Sequence, residues 1–390
     1  MNTSHIYAKQ KPAVNRVSSL AVNICRVLVG VLFIFSGLVK ANDPSGLAYK
    51  MQEFFDVWGH YSILHSAMLW LNDYALAFSV IVISLEIIVG FALLLGWRIK
   101  LISWILLLLM IFFTFLTSYA VFSGKIRTCG CFGDCIPLTA MQSFIKDLLL
   151  LILVLIIFFG HKYIISIASG AVNFILIVIA VAIVLGFQWF VLRHMPFKDC
   201  LPFRQGNNLL EGRKMPAGAV QDKMSFKFVY EKEGKEQEFD QNHLPDSTWK
   251  FIKRSDVLLE QGKNNEPPVK DFFLNTLSGT DSTEAVLSQP GEYYIFFVKE
   301  VNYGTDHWLT NFTNIYTFAR SQNRTIYIVS SEATAADQFF NHTNNFDLQV
   351  FSCDVTAVKT AARTNPCLYL MHGPVVMQKW GWADLRKALP

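Results

Sequence analysis

Five long apolar segments crowd into the first half of the chain, at about residues 18–40, 74–96, 99–122, 142–160 and 171–192. Each is close to the roughly 20 apolar residues that a helix needs to cross a bilayer, and the run Leu148 to Phe159 is apolar without interruption. No other feature restricts the fold as strongly. In lipid every backbone N–H and C=O must be satisfied within the spanning segment itself, which for isolated apolar runs leaves the α-helix. Charge divides the chain in the same place: residues 1–192 hold 12 Lys/Arg and 7 Asp/Glu, whereas residues 193–390 hold 22 and 23. The second half therefore has the composition of an ordinary soluble domain. The net charge of +4 belongs to the membrane half. With no basic cluster in the second half, it gives no indication of nucleic-acid binding. The first apolar run is too long for a signal-peptide core and lacks a small-x-small cleavage site, so it reads as a span.

Short loops rich in Lys and Arg mark the cytoplasmic side. Lys9, Lys11 and Arg16 precede the first span, Arg98 and Lys100 sit in the turn between the second and third, and Lys162 precedes the fifth. The opposite loops carry Asp43, Glu53, Asp56, Asp73 and Asp134. This asymmetry predicts a cytoplasmic N-terminus and puts residues 193–390 on the far side; in a bacterium that makes the chain an inner-membrane protein with its second half in the periplasm, where disulfides persist. Counting residues from the span ends puts Arg26 and Glu86 at a similar depth of about 15 Å, so the two are expected to form an intramembrane ion pair. Such a pair either fixes helix register or serves a proton-relay or quinone site. Lys40 and Asp43 are expected at the periplasmic rim, where a lysine can snorkel to water.

Six of the seven cysteines fall on the oxidising side of that topology. Cys25 lies within the first span and reads as a small apolar packer. The densest feature is Cys129-Gly-Cys131-Phe-Gly-Asp134-Cys135, followed by Thr139-x-x-Gln142, the form of a helix N-capping box. A helix N-terminus and the neighbouring Lys125 and Arg127 favour thiolates. Cys129, Cys131 and Cys135 are therefore candidate redox residues. A static structural disulfide and a zinc site of three thiolates plus Asp134 remain the alternatives, although the spacing is not that of a standard finger. No phosphate-binding glycine loop, Ser/His/Asp signature or His-Glu-x-x-His zinc motif occurs in the sequence.

Several strings in the first half are familiar. Arg26-Val-Leu-Val-Gly30 with Phe33-Ile-Phe-Ser36-Gly37-Leu-Val-Lys40-Ala-Asn-Asp43-Pro44 resembles the first helix of DoxX-like membrane proteins. Glu86-Ile-Ile-Val-Gly90 with Leu94-Leu-Gly96 resembles their second helix. Phe115-Leu-Thr117 followed by the Cys-Gly-Cys-Phe-Gly-Asp string resembles the third helix and its cysteine loop. Together, over about residues 18–160, they resemble the DoxX/MauE group of the Bacteroidota type that carries a C-terminal extension. Cys135 is an addition to the usual pattern. The resemblance implies a thiol-disulfide role in the periplasm, because MauE is associated with maturation of methylamine dehydrogenase, whose small subunit is rich in disulfides.

Downstream, Pro and Gly break any periodicity over 193–225, and Phe226–Phe239 alternates around Glu233-Gly234 as a hairpin would. From about residue 269, strand and helix patterns alternate, which argues an α/β sheet. Within it, Trp308, Phe312, Ile315 and Phe318 or Ala319 mark one helix face. The order resembles a thioredoxin-like domain of the peroxiredoxin or TlpA type, with Pro366 as its cis-proline. After the strand Ile295–Glu300, where that family places Cys-x-x-Cys, the chain instead reads Val301-Asn-Tyr-Gly-Thr-Asp-His307-Trp308. The domain therefore lacks the ordinary dithiol, and His307 stands nearby as a surface or packing residue. Cys200, just past the fifth span, and Cys367, beside Pro366, are candidate relay thiols, with Cys367 expected to face a partner. Cys353 is expected to be buried.

The expected architecture is an α-helical membrane bundle, four DoxX/MauE-like helices plus a fifth connecting helix, followed by a periplasmic α/β thioredoxin-like domain. Its divisions are a cytoplasmic N-terminus (1–17), the four-helix domain (18–160), the fifth span (161–192), a linker and β-rich segment (193–268) and the thioredoxin-like domain (269–390). The expected function is thiol-disulfide redox or maturation of periplasmic proteins that carry thiols or disulfides. No metal is implied, and a quinone in the bundle is the candidate electron acceptor, as in other four-helix disulfide-generating proteins. The rival is a non-enzymatic assembly or anchoring protein whose cysteines are staples and whose degenerate domain docks a partner. A transporter is disfavoured by the sparse charge and the lack of internal repeats.

Overall fold

The computed structural model describes residues 16–60, 63–126, 130, 133–232, 234–260, 262, 265–301 and 304–390. They divide into two compact units, Met1–Leu201 with Gly381–Asp384, and Pro202–Trp380 with Leu385–Pro390.

The first unit contains five helices long and apolar enough to cross a membrane, Ser18–Ala41, Ala75–Leu95, Ile99–Ser123, Ala140–Tyr163 and Gly170–His194. They belong to α1 (Arg16–Ala41), α4 (Ala75–Leu95), α5 (Ile99–Ser123), α6 (Ala140–Gly160) and α7 (Gly170–His194). Two helices that the hydropathy pattern does not announce, α2 (Pro44–Gly59) and α3 (His65–Asp73), lie between the first two spans. The start of α2 is nonetheless written in its residues. Asp43 caps it, its side chain accepting from Gly46 N, and Pro44 opens its first turn, where a missing N–H costs nothing. Lys50, Glu53 and Asp56 keep α2 from being a span.

Helices α1 and α4 pack side by side, antiparallel, and glycine sets their separation. A Cβ placed on Gly90 would stand 2.9 Å from the Gly30 carbonyl oxygen and 2.9 Å from Phe33 Cβ. With little hydrophobic driving force between helices in lipid, this close approach supplies the van der Waals contact that holds them. Cys25, Val29, Phe33, Val89 and Leu93 share the resulting core with residues from α5 and α6. The helix α7 lies along α4, so the fifth span is part of the bundle rather than a bare connector.

In the second unit, β1 (Lys223–Lys232), β2 (Lys235–Asp240) and β3 (Lys250–Glu260) form an antiparallel sheet in the order β2-β1-β3. The β1–β2 pairing closes with Lys232 opposite Lys235, where Gly234 adopts φ +75°. Short helices α8 (Leu209–Gly212) and α9 (Thr283–Leu287) flank this region in sequence. Five more strands follow, β4 (Glu292–Val298), β5 (Ile326–Ser330), β6 (Gln349–Ser352), β7 (Cys367–His372) and β8 (Val375–Gly381). Their order is β6-β5-β4-β7-β8, with β4, β5 and β6 parallel and β7 antiparallel to β4. Helices α10 (Thr305–Ser321), α11 (Ala333–Asp337) and α12 (Val355–Ala361) occupy the crossovers. The central strand is buried on both faces from Tyr293 to Val298, as its unbroken apolar run requires. Against it α10 lays Trp308, Phe312, Ile315 and Ala319, the face that the spacing predicts. The chain is thus a helical membrane bundle followed by an α/β domain.

The α1–α4 packing makes a testable claim. Gly90→Val should cost about 1–3 kcal/mol through overpacking and lower the thermal midpoint of the purified protein. Gly186→Ala on α7, where an added Cβ meets nothing within 4 Å, should leave it unchanged or raised. Equal midpoints for the two variants would contradict close helix contact at Gly90.

Candidate functional site

The bundle holds a cavity of about 320 Å³ at the end that carries the cysteine loop. Its wall is largely apolar, with Leu32 and Phe33 from α1, Met51 and Phe54 from α2, Met110, Phe113 and Leu116 from α5, and Leu150 from α6. Five charged or ionisable side chains also reach it: Lys40, Lys50, Glu86, Lys146 and Asp147.

Glu86 pairs with Lys40, not with Arg26. Lys40 Nζ donates to Glu86 at 2.8 Å (Oε1) and 2.6 Å (Oε2) and to Ser36 Oγ at 3.0 Å. It also lies 5.2 Å from the centroid of the Phe113 ring. The residues are 5% and 3% exposed, so Lys40 does not snorkel at a rim. Two ions removed from water together need each other and further hydrogen bonds, and Ser36 and the ring meet part of that need. Arg26 instead serves a helix end. Its guanidinium donates to the carbonyls of Leu93 (2.9 Å), Leu94 (2.5 Å) and Ile165 (3.3 Å). The last carbonyls of a helix have no partner inside it and carry partial negative charge, so a buried guanidinium fits there. The depth argument misplaces Arg26 because the spans are offset. Helix α1 begins at Arg16, well before the level at which α4 ends.

On α6, Asp147 is 2% exposed. Lys146 approaches one of its oxygens, Oδ1, at 2.7 Å. Among the described residues its other oxygen, Oδ2, is buried without a hydrogen-bond partner, as is the hydroxyl of Ser143 one turn earlier. A buried acceptor left unpaired costs roughly 1–3 kcal/mol, which makes Asp147 the conspicuous polar group of the cavity. Sequence reading passed over it because one Asp beside a Lys near a span end looks like an ordinary boundary. The signal was its place on the inward face of α6 with Ser143, Leu150, Val154 and Ile157.

The cysteine loop meets this cavity. Gly130, at the centre of Cys129-Gly-Cys131, lines it and adopts φ +64°. A Cβ there would press on Lys50 Cγ at 3.1 Å, so glycine suits the position in both backbone angle and space. Cys129 and Cys131 themselves lie outside the described residues. The loop then enters α6 through a complete capping box, Thr139 Oγ1 accepting from Gln142 N and Gln142 Oε1 from Thr139 N.

Cys135 is joined to Cys200 in a disulfide. It is therefore not a third thiolate beside Cys129 and Cys131, which removes the three-thiolate zinc arrangement. The same segment is held a second time, Asn42 Nδ2 donating to Lys198 O at 2.8 Å and Lys198 N to Asn42 Oδ1 at 3.1 Å. The end of α1, the cysteine loop and the stretch after α7 are thereby tied together.

In the α/β unit Cys367 is fully buried at the start of β7, opposite Phe297 of β4. Its burial takes it off the surface, which corrects the expectation of a thiol turned toward a partner protein. Cys353 is buried too, and burial pushes its thiol up to about 12, so it stays protonated and inert at neutral pH. The Asn365–Pro366 peptide is cis. The Asn365 side chain reaches the end of β4, accepting from Lys299 N at 2.9 Å and donating to Glu300 O at 2.8 Å.

Breaking the ion pair on one side leaves an uncompensated buried charge, which costs about 3–5 kcal/mol. Glu86→Gln should therefore lower the thermal midpoint sharply, and adding Lys40→Met to it should recover most of the loss. A Glu86→Gln protein as stable as the wild type would contradict the pairing.

Comparison with known proteins finds matches to two stretches of the chain and to one curated relative. Residues 224–261, which cover β1 to β3, match a domain of unknown function (DUF8463). Protein TlpB of Flavobacterium psychrophilum is 33% identical over 137 residues, 34% of this chain and 35% of that protein. The chain thus aligns with only about a third of the length of that curated relative. No solved structure matches the chain significantly. The family described as methylamine utilisation protein MauE matches residues 18–160, the segment that runs from the first span to the end of α6. The cavity, its ion pair and the cysteine loop therefore lie in the segment that matches the MauE family.

Proposed function

We propose that this protein carries out thiol–disulfide exchange at the outer face of a bacterial inner membrane, maturing partner proteins that bear thiols or disulfides. The observation that carries the reading is the position of Gly130. It puts the middle of a Cys-x-Cys pair on the wall of an apolar cavity inside the bilayer-spanning bundle, where a redox couple can meet a lipid-soluble acceptor. The excess of Lys and Arg in the opposite loops supports an N-terminus on the cytoplasmic side. In the first step a partner dithiol reduces the Cys129–Cys131 disulfide through a mixed disulfide, so that the partner gains a disulfide and the loop becomes a dithiol. In the second step the loop dithiol passes two electrons and two protons to a quinone of the bilayer, which leaves as quinol, and the Cys129–Cys131 disulfide is restored. A disulfide closing so small a ring is strained and labile, which suits exchange. The Cys135–Cys200 disulfide and the Asn42–Lys198 hydrogen bonds hold the loop over the cavity, and Cys200 acts there as a positioning residue rather than a relay.

The sheet β4 to β8 with its crossover helices supports a thioredoxin-like domain. With Cys353 and Cys367 buried, its proposed role is to present the partner rather than to exchange electrons with it. That same burial favours the anchoring reading, in which the whole protein assembles partners without chemistry. Thiol trapping in native membranes separates the two. Cys131→Ala should accumulate mixed disulfides through Cys129, the Cys129→Ala/Cys131→Ala double variant should accumulate none, and Cys367→Ala should behave as the wild type. No mixed disulfide in Cys131→Ala, with partner redox states unchanged in the double variant, would sink the exchange reading and leave anchoring.

A further inference from the structure

From the unpaired oxygen of Asp147 we infer that the cavity is a binding site for a lipid-soluble hydroquinone, whose ring hydroxyl donates a hydrogen bond to Asp147 Oδ2. The inference rests on the exchange reading above and adds the site and the residue.

An ionised carboxylate oxygen is an acceptor only. With Lys146 on Oδ1 and no partner on Oδ2, the group that completes Asp147 must bring a hydrogen-bond donor. The rest of that ligand must be apolar and flat enough for a wall built from Phe33, Met110, Phe113 and Leu150. At about 320 Å³ the space falls in the ~300–1,000 Å³ range of small-molecule pockets. It suits a ring with its isoprenoid tail running out between helices. A phenolic hydroxyl on a lipid-soluble ring meets both demands, whereas an acyl chain supplies no donor. The chemistry is balanced by the loop itself: the dithiol of Cys129 and Cys131 plus quinone gives the disulfide plus hydroquinone, with both protons ending on the ring oxygens. Asp147 then marks where a ring hydroxyl, once formed, is held and where the hydroquinone rests before release.

Binding of decylubiquinol to the full chain in detergent tests the site, with n-decane as the tail-only control. The wild type should bind one decylubiquinol saturably, and n-decane should not displace it at equal concentration. Asp147→Leu should weaken binding at least tenfold, and Met110→Trp, which fills the cavity while keeping the carboxylate, should weaken it similarly. The Cys129→Ala/Cys131→Ala variant should bind like the wild type. Absence of saturable binding, equal displacement by n-decane, or unchanged affinity in Asp147→Leu would each overturn the inference, the last two pointing to an acyl chain or water in the cavity. Failure of the exchange reading has a different signature: decylubiquinol binds as described, yet the dithiol form of the loop does not reduce decylubiquinone.

Discussion

The contact between Lys40 and Glu86 governs the membrane half of this protein. Neither ion is tolerated alone at such burial, so the pair fixes which residues of α1 and α4 stand level. The rest of the register runs from there. Gly37 meets Ile87, Gly30 meets Gly90, and Arg26 reaches the carbonyls of Leu93 and Leu94. Glycine brings the helices close, and the ions and the guanidinium set their sliding position. Because Lys40 and Glu86 also line the cavity, the interaction that sets helix register shapes the space beneath the cysteine loop as well.

The seven cysteines separate by environment. Cys25, Cys353 and Cys367 are buried thiols, and Cys135 and Cys200 are joined to one another. Cys129 and Cys131 flank Gly130, which lines the cavity. In the proposed exchange, chemistry that needs an accessible thiolate near an apolar acceptor falls to that pair, and the other cysteines serve packing or tethering. The α/β domain fits this division, since it offers a surface while its own thiols are out of reach.

Much of this was legible in the residues. The five spans follow from hydropathy because a spanning helix has no other way to satisfy its backbone. The capping box Thr139-x-x-Gln142 forms as written because it is local, and the buried face of α10 appears at the expected spacing because amphipathicity is imposed by the sheet it covers. What was not legible depends on how separate helices slide past one another. Arg26 and Glu86 fall at matching depth only if the start of α1 stands level with the end of α4, and it does not. Lys40 near a span end looks like a snorkelling residue until α2 and α5 close over it. The Cys135–Cys200 bridge joins residues 65 apart in the chain, and spacing alone left 15 pairings open among six cysteines. Asp147 gave only the signal of its place on the inward face of α6, because its unpaired oxygen exists only once the bundle encloses it.

The central claim is that the Cys129–Cys131 pair and the cavity work as one redox unit, and a stoichiometric titration tests it most directly. The full chain is placed in nanodiscs, reduced, freed of excess reductant and mixed with decylubiquinone while thiols and quinol are counted together. The account predicts two thiols lost for each quinol formed, with loss confined to Cys129 and Cys131. Quinol-free mixtures in which both thiols persist would contradict it.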